Sequence, residues 1–140
     1  MEIVDSLKSK HLKTVLTGNN HAKVHPAWVD ETNDGFLICY EIQLVFDDGT
    51  IYFVQPSEQN IEGRYPALGL KLSLVDSITL ENVFPIATTP AIVTSVTSTD
   101  NLGEDVVNQW VFNFGNSMHL MIRHVYPPMS LGIKVAVSNA

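Results

Sequence analysis

The 140-residue chain is 45% hydrophobic and 16% charged, which excludes a disordered polar segment and fits one domain with its own core. Fifteen Asp and Glu against eight Lys and Arg give a formal charge of -7, which excludes the basic surface that a nucleic-acid binder needs. Cys39 is the lone cysteine, so no intrachain disulfide can form, and no apolar run reaches membrane-spanning length.

The opening Met1-Glu2-Ile3-Val4-Asp5 has neither the basic nor the long apolar part of a signal peptide. With the missing disulfide this sets the expectation of a cytoplasmic protein, here of bacterial type. Asp5 to Lys13 is compatible with a short helix, but its repeat equivalent near Ile78 favours strand. Leu12 to Leu16 reads as a strand, and Ala22 to Val29 as a weak one interrupted by Pro26.

Asp30-Glu31-Thr32-Asn33-Asp34-Gly35 opens the next segment. Asp30, Thr32, Asp34 and Glu41 fall at loop positions 1, 3, 5 and 12 of a calcium loop, with Gly35 at position 6. Thr32 replaces the usual Asp or Asn, and the flanks do not read as helices. A polar turn entering a strand is the expectation, with calcium as the alternative and no other metal or cofactor expected.

From Ile38 to Phe46 every second residue is large and apolar, the period of a half-buried strand. Asp47-Asp48-Gly49 then turns the chain, and Ile51 to Val54 returns until Pro56 stops it. The loop Gln55 to Ala67 is polar and carries Glu58, Glu62, Arg64 and Tyr65. A short strand opens at Leu68-Gly69.

The second half repeats this order. Val75-Asp76-Ser77 echoes Val4-Asp5-Ser6. Leu12, Gly35, Ile42, Leu44 and Phe46 precede Leu80, Gly103, Trp110, Phe112 and Phe114 by 68 positions. Ile78 to Phe84 and Ile92 to Thr97 read as strands. Val106 to Phe114 and Met118 to Val125 form a second hairpin, and Leu131-Gly132-Ile133-Lys134 matches Leu68-Gly69-Leu70-Lys71. The expectation is a single all-β domain, residues 1–140, built from repeats at about 3–73 and 74–137. Some nine strands would form a β-sandwich or flattened barrel with pseudo-two-fold symmetry, with room for one short helix.

Catalytic signals are absent. There is no Gly-x-Ser-x-Gly elbow, no Ser-x-x-Lys pair and no phosphate-binding glycine loop. Cys39 lies mid-strand on the less apolar face. His21 and His25 are spaced for zinc only on a helix, and His119 and His124 point to opposite faces of a strand. His119 stands where the first repeat has Ile51. No catalytic residue is assigned, and a non-enzyme is expected. The candidate binding residues are Glu58, Glu62, Arg64, Tyr65 and His119, because the repeats diverge there and Arg and Tyr suit binding surfaces. The expected partner is another protein, of basic character, as for an immunity or inhibitor protein that neutralises a basic toxin. Neither nucleic acid nor membrane is expected, and a homodimer is compatible with exposed sheet edges. The alternative is a small-molecule or catalytic barrel with a pocket lined by Tyr40, Tyr52, Trp110 or His119.

Overall fold

The structure, a computed structural model, describes residues 3–18, 36–86, 91–115, 117–125 and 130–137. A 3-10 turn, Ile3–Leu7, precedes ten strands: β1 His11–Thr17, β2 Leu37–Cys39, β3 Ile42–Phe46, β4 Ile51–Gln59, β5 Ala67–Val75, β6 Asn82–Phe84, β7 Ala91–Thr99, β8 Gln109–Phe114, β9 Met118–Val125 and β10 Ser130–Val137. The all-β expectation holds, with ten strands among the described residues where about nine were expected. Among the described residues no helix is long and apolar enough to cross a membrane.

The strands form one antiparallel sheet in the order β2-β10-β9-β8-β7-β1-β3-β4-β5, with β6 beside β1. Outward from the central β1–β7 pair, one direction runs as the meander β7-β8-β9-β10 and the other as β1-β3-β4-β5, with β2 standing between β1 and β3 in sequence. One leaf therefore holds β1, β3, β4, β5 and β6, and the other holds β7 to β10 with β2. The leaves join through His11↔Ile92 and Leu12↔Ala91. The sheet folds over so that β5 meets β9 and β4 meets β10, but it is not closed into a barrel. One core fills the fold, with Leu12, Ile42, Leu44, Phe46, Phe112, Leu120, Ile122, Leu131 and Ile133 at most 2% exposed. Val4 and Leu7 of the 3-10 turn join it. Burial of this apolar surface is the main force holding the leaves together.

Several local expectations are corrected. The run Ile38 to Phe46 is two strands. It breaks at Tyr40–Glu41, so that β2 pairs with β10 and β3 with β1 and β4. The same alternating sequence serves both leaves. Nor is β3 half-buried, since all five of its residues are buried. The segment after β5 crosses its outer face. There the Gln43 amide donates to Ser77 O (3.1 Å) and accepts from Thr79 N (3.0 Å) and Leu80 N (3.1 Å).

Pro56 does not stop β4, which runs on to Gln59. Pairing with β3 ends at Val54, and beyond it one edge of β4 has no strand to satisfy, so a residue without an N–H is tolerated. The segment before His11 is the 3-10 turn rather than a strand. In the second half only Asn82–Phe84 of the Ile78 to Phe84 stretch is strand, and Val106 and Asn108 precede β8.

The topological counterpart of β1 is β7, not the segment at Leu80. Both carry a register shift in the same place. Leu12 pairs with Phe46 before a shift to Thr14, and Val93 pairs with Phe114 before a shift to Ser95. Such bulges increase the local bend and twist of a strand. The Ala22 to Val29 strand, His21 and His25 lie outside the described residues.

The repeated Leu-Gly also has a physical cause. A Cβ on Gly132 would stand 3.1 Å from Phe36 Cδ1 and 3.1 Å from Val125 Cγ1. At Gly69 the nearest atoms would be Gln59 Nε2 at 3.0 Å and the Val107 carbonyl oxygen at 3.4 Å. Each glycine lets another segment approach a strand closely.

Candidate functional site

The structure brings the β4–β5 loop against the loop between β7 and β8. Arg64 Nη2 lies 3.0 Å from Glu104 Oε2, and Arg64 Nη1 donates to Glu104 O at 3.1 Å. Nη1 also lies 3.4 Å from Asp105 Oδ2. The Tyr65 hydroxyl donates to Glu104 Oε2 at 3.4 Å, and the guanidinium carbon sits 4.7 Å from the Tyr65 ring centre. On its other oxygen Glu104 accepts the Leu68 N–H of β5 at 3.2 Å. Glu104 is only 5% exposed, so these bonds compensate a carboxylate drawn largely out of water.

The β7–β8 loop is shaped by Asp100. Its carboxylate accepts from Glu104 N (2.9 Å), Asp105 N (2.8 Å) and Asn108 Nδ2 (2.7 Å). The bond from Glu104 N–H is the leading reason that its pKa falls below the ordinary carboxylate value. Asn108 in turn accepts from Asn101 N at 2.7 Å. Gly103 and Asp105 take positive φ, 73° and 68°, and this turns Glu104 inward toward Arg64. His124 of β9 is fully buried beside the same corner, and its Nδ1–H donates to Gly69 O at 2.8 Å. Loss of water around the ring is the leading cause that lowers its pKa.

Of the five candidate binding residues, Arg64 and Tyr65 meet here. Glu58 and Glu62 are exposed on the same hairpin. His119 is apart. It lies at the far end of β9 from His124, with Nδ1 2.7 Å from Asn113 Oδ1, in a cross-strand row with Ser95 and Ala136. Sequence reasoning missed Asp100, Asn108 and His124. The polar run Asp100 to Asn108, with Gly103 inside it, is the sequence signal of a structured turn.

Asp30, Thr32 and Asp34 of the calcium alternative lie outside the described residues. Glu41, its fourth member, sits at the corner between β2 and β3. Among the described residues no three His, Cys, Asp or Glu side chains are grouped to hold a metal.

Cys39 is not on an open face. It is fully buried, and desolvation pushes its thiol up to about 12, the opposite of a reactive cysteine. Tyr52 and Trp110, expected around a pocket, pack in the core edge-on to Phe46 and Phe112 at 5.7 Å and 6.5 Å. Three surface depressions, of about 360, 390 and 460 Å³, are lined by other residues.

The corner therefore carries five carboxylates, Glu58, Glu62, Asp100, Glu104 and Asp105, against the one guanidinium of Arg64. That guanidinium is turned inward. Above it Tyr65 remains 68% exposed. No family model, curated protein or solved structure matches the chain.

Proposed function

We propose that this is a non-enzymatic acidic binding module whose partner is a basic protein, working in the bacterial cytoplasm as an immunity or inhibitor protein does. The carrying observation is Tyr65, a large side chain 68% exposed yet fixed by Arg64 and Glu104. A pre-positioned tyrosine loses little conformational freedom on binding and supplies a large contact area. Glu58 and Glu62 on the same hairpin, and Asp100 and Asp105 on the facing loop, are all exposed. Negative charge surrounding an aromatic anchor attracts a basic partner over a distance and raises the association rate. Arg64 does not oppose this, because its charge is neutralised by Glu104.

Affinity purification with the wild type and with two variants as baits tests the reading. The variants are Tyr65→Ala and the double reversal Glu58→Lys with Glu62→Lys. A basic protein should be retained by the wild type and released as salt rises. Each variant should bind it at least about tenfold more weakly, the ordinary cost of a lost interface anchor. If the wild type retains no basic protein, or the variants retain it equally well, this surface is not the binding site.

A further inference from the structure

We propose that β7 is an association edge and that its occupant is β7 of a second copy, paired antiparallel about a two-fold axis at Thr97. The β7–β8 ladder pairs Thr99 with Gln109, Thr97 with Val111 and Ser95 with Asn113. The Asn108 carbonyl accepts from His124 N on the β9 side. Alternation along β8 then turns Gln109, Val111 and Asn113 toward β7. In β7 it turns the N–H and C=O of Val96 and Ser98 away from β8. The bulge after Val93 sets this phase. Val93 itself bonds on the open side, to Ser9 N (2.7 Å) and Lys10 O (2.9 Å).

Beyond Val93 the 3-10 turn stays beside β7, with Asp5 near Ser95 and Val96, and among the described residues no strand pairs with this side of β7. Thr94, Ser95, Thr97 and Ser98 are exposed. A depression of about 460 Å³, lined by Asp5, Lys8, Ser95 and Val96, runs beside this edge. At β5, the terminal strand of the other leaf, Glu104 and His124 occupy Leu68 N and Gly69 O. Among the described residues no side chain is seen to bond the backbone of Val96 or Ser98 in this way. From Ala91 to Thr99 β7 also lacks charge, proline and glycine, the usual devices that keep sheet edges apart.

A second copy fits better than an unrelated peptide because the edge is complementary to itself. With Val96 opposite Ser98 of the second copy, each donates to and accepts from the other, and the two-fold axis repeats the pair. In that register Ser95 faces Thr99 of the second copy. Lys8, beside Ser95 and Val96, then meets the acidic end that begins at the exposed Asp100. The axis makes this contact twice. Asp5 shares the depression, so one end of the edge is of mixed charge and the other is acidic.

Light scattering on the wild type should show a dimer fraction that rises across roughly 1 µM to 1 mM, as expected for a small interface. Ser98→Pro removes only an N–H that points away from β8, and should weaken dimerisation at least about tenfold with an unchanged circular dichroism spectrum. Thr97→Lys, which opposes two like charges at the axis, should do the same. Thr97→Cys should oxidise to a covalent dimer, whereas Thr79→Cys, in the segment after β5, should not. A wild type that stays monomeric throughout this range overturns the proposal. So does a dimer that survives both Ser98→Pro and Thr97→Lys, or a monomer whose β7 edge captures an added extended peptide instead.

Discussion

At the scale of single residues the Arg64–Glu104 pair is the most consequential contact. It ties the β4–β5 hairpin to the opposite leaf and orients Tyr65. Glu104→Ala leaves Arg64 Nη2 and the Leu68 N–H without their carboxylate acceptor. Arg64 keeps partial access to water, its side chain being 23% exposed, so the loss should be about 1–3 kcal/mol, below the cost of breaking a fully buried pair. Urea denaturation should register it as a lower midpoint.

His124 should set a different response, to pH. The folded protein holds this ring neutral, below its ordinary pKa of 6.5, while the unfolded chain takes up a proton there. The unfolded state therefore binds more protons below about pH 6.5, and stability falls as pH drops, by at most about 1.4 kcal/mol per unit. In His124→Asn, whose amide can still donate toward Gly69 O, the denaturation midpoint between pH 7 and pH 5 should vary less. Equal slopes in the two proteins would remove His124 as the cause.

At the scale of elements, the two repeated glycines should differ in their tolerance of a methyl group. Around Gly132 the obstructing atoms belong to Phe36 and Val125, an aromatic ring and a β-branched side chain. Around Gly69 the nearest is the end of a glutamine, which can swing aside. Gly132→Ala should cost about 1–3 kcal/mol, and Gly69→Ala less. Thermal melting of both variants would rank them.

These glycines also mark how far the sequence could be read. Hairpin β8–β9 was legible because large residues alternate on one face and a turn joins them. The return strand Met118–Val125 was placed correctly to its ends. The break at Tyr40–Glu41 was not legible, because alternation continues unbroken across it, and only tertiary packing decides which leaf each half joins. The continuation of β4 through Pro56 was hidden for a related reason. Proline reads as a strand end unless the pairing limit of the neighbouring strand is known. At the site, the residue types of the Gln55 to Pro66 loop singled out Arg64 and Tyr65. Their partner Glu104 lies 40 positions away, and nothing local distinguishes it from a solvated acid.

At the scale of the whole molecule the leaves are not independent units. The second leaf is completed by β2, which belongs to the first half of the chain, and β1 joins β7 along the central seam. A chain divided between Val75 and Asp76 should therefore give two fragments that each lack a cooperative unfolding transition. Mixing them should restore one, visible in near-ultraviolet circular dichroism. Independent cooperative folding of either fragment would contradict a single shared core.

The corner at Tyr40–Glu41 also bears on the protein's birth on the ribosome. Among the described residues Leu37–Cys39 pairs with Leu131–Ile133 alone, with Leu131 opposite Cys39 across 92 positions of sequence. At about 5–20 residues per second, translation needs roughly 5–20 s to cover that distance. Throughout that interval an apolar segment of the nascent polypeptide must wait beside a half-built leaf until β10 emerges to shelter it.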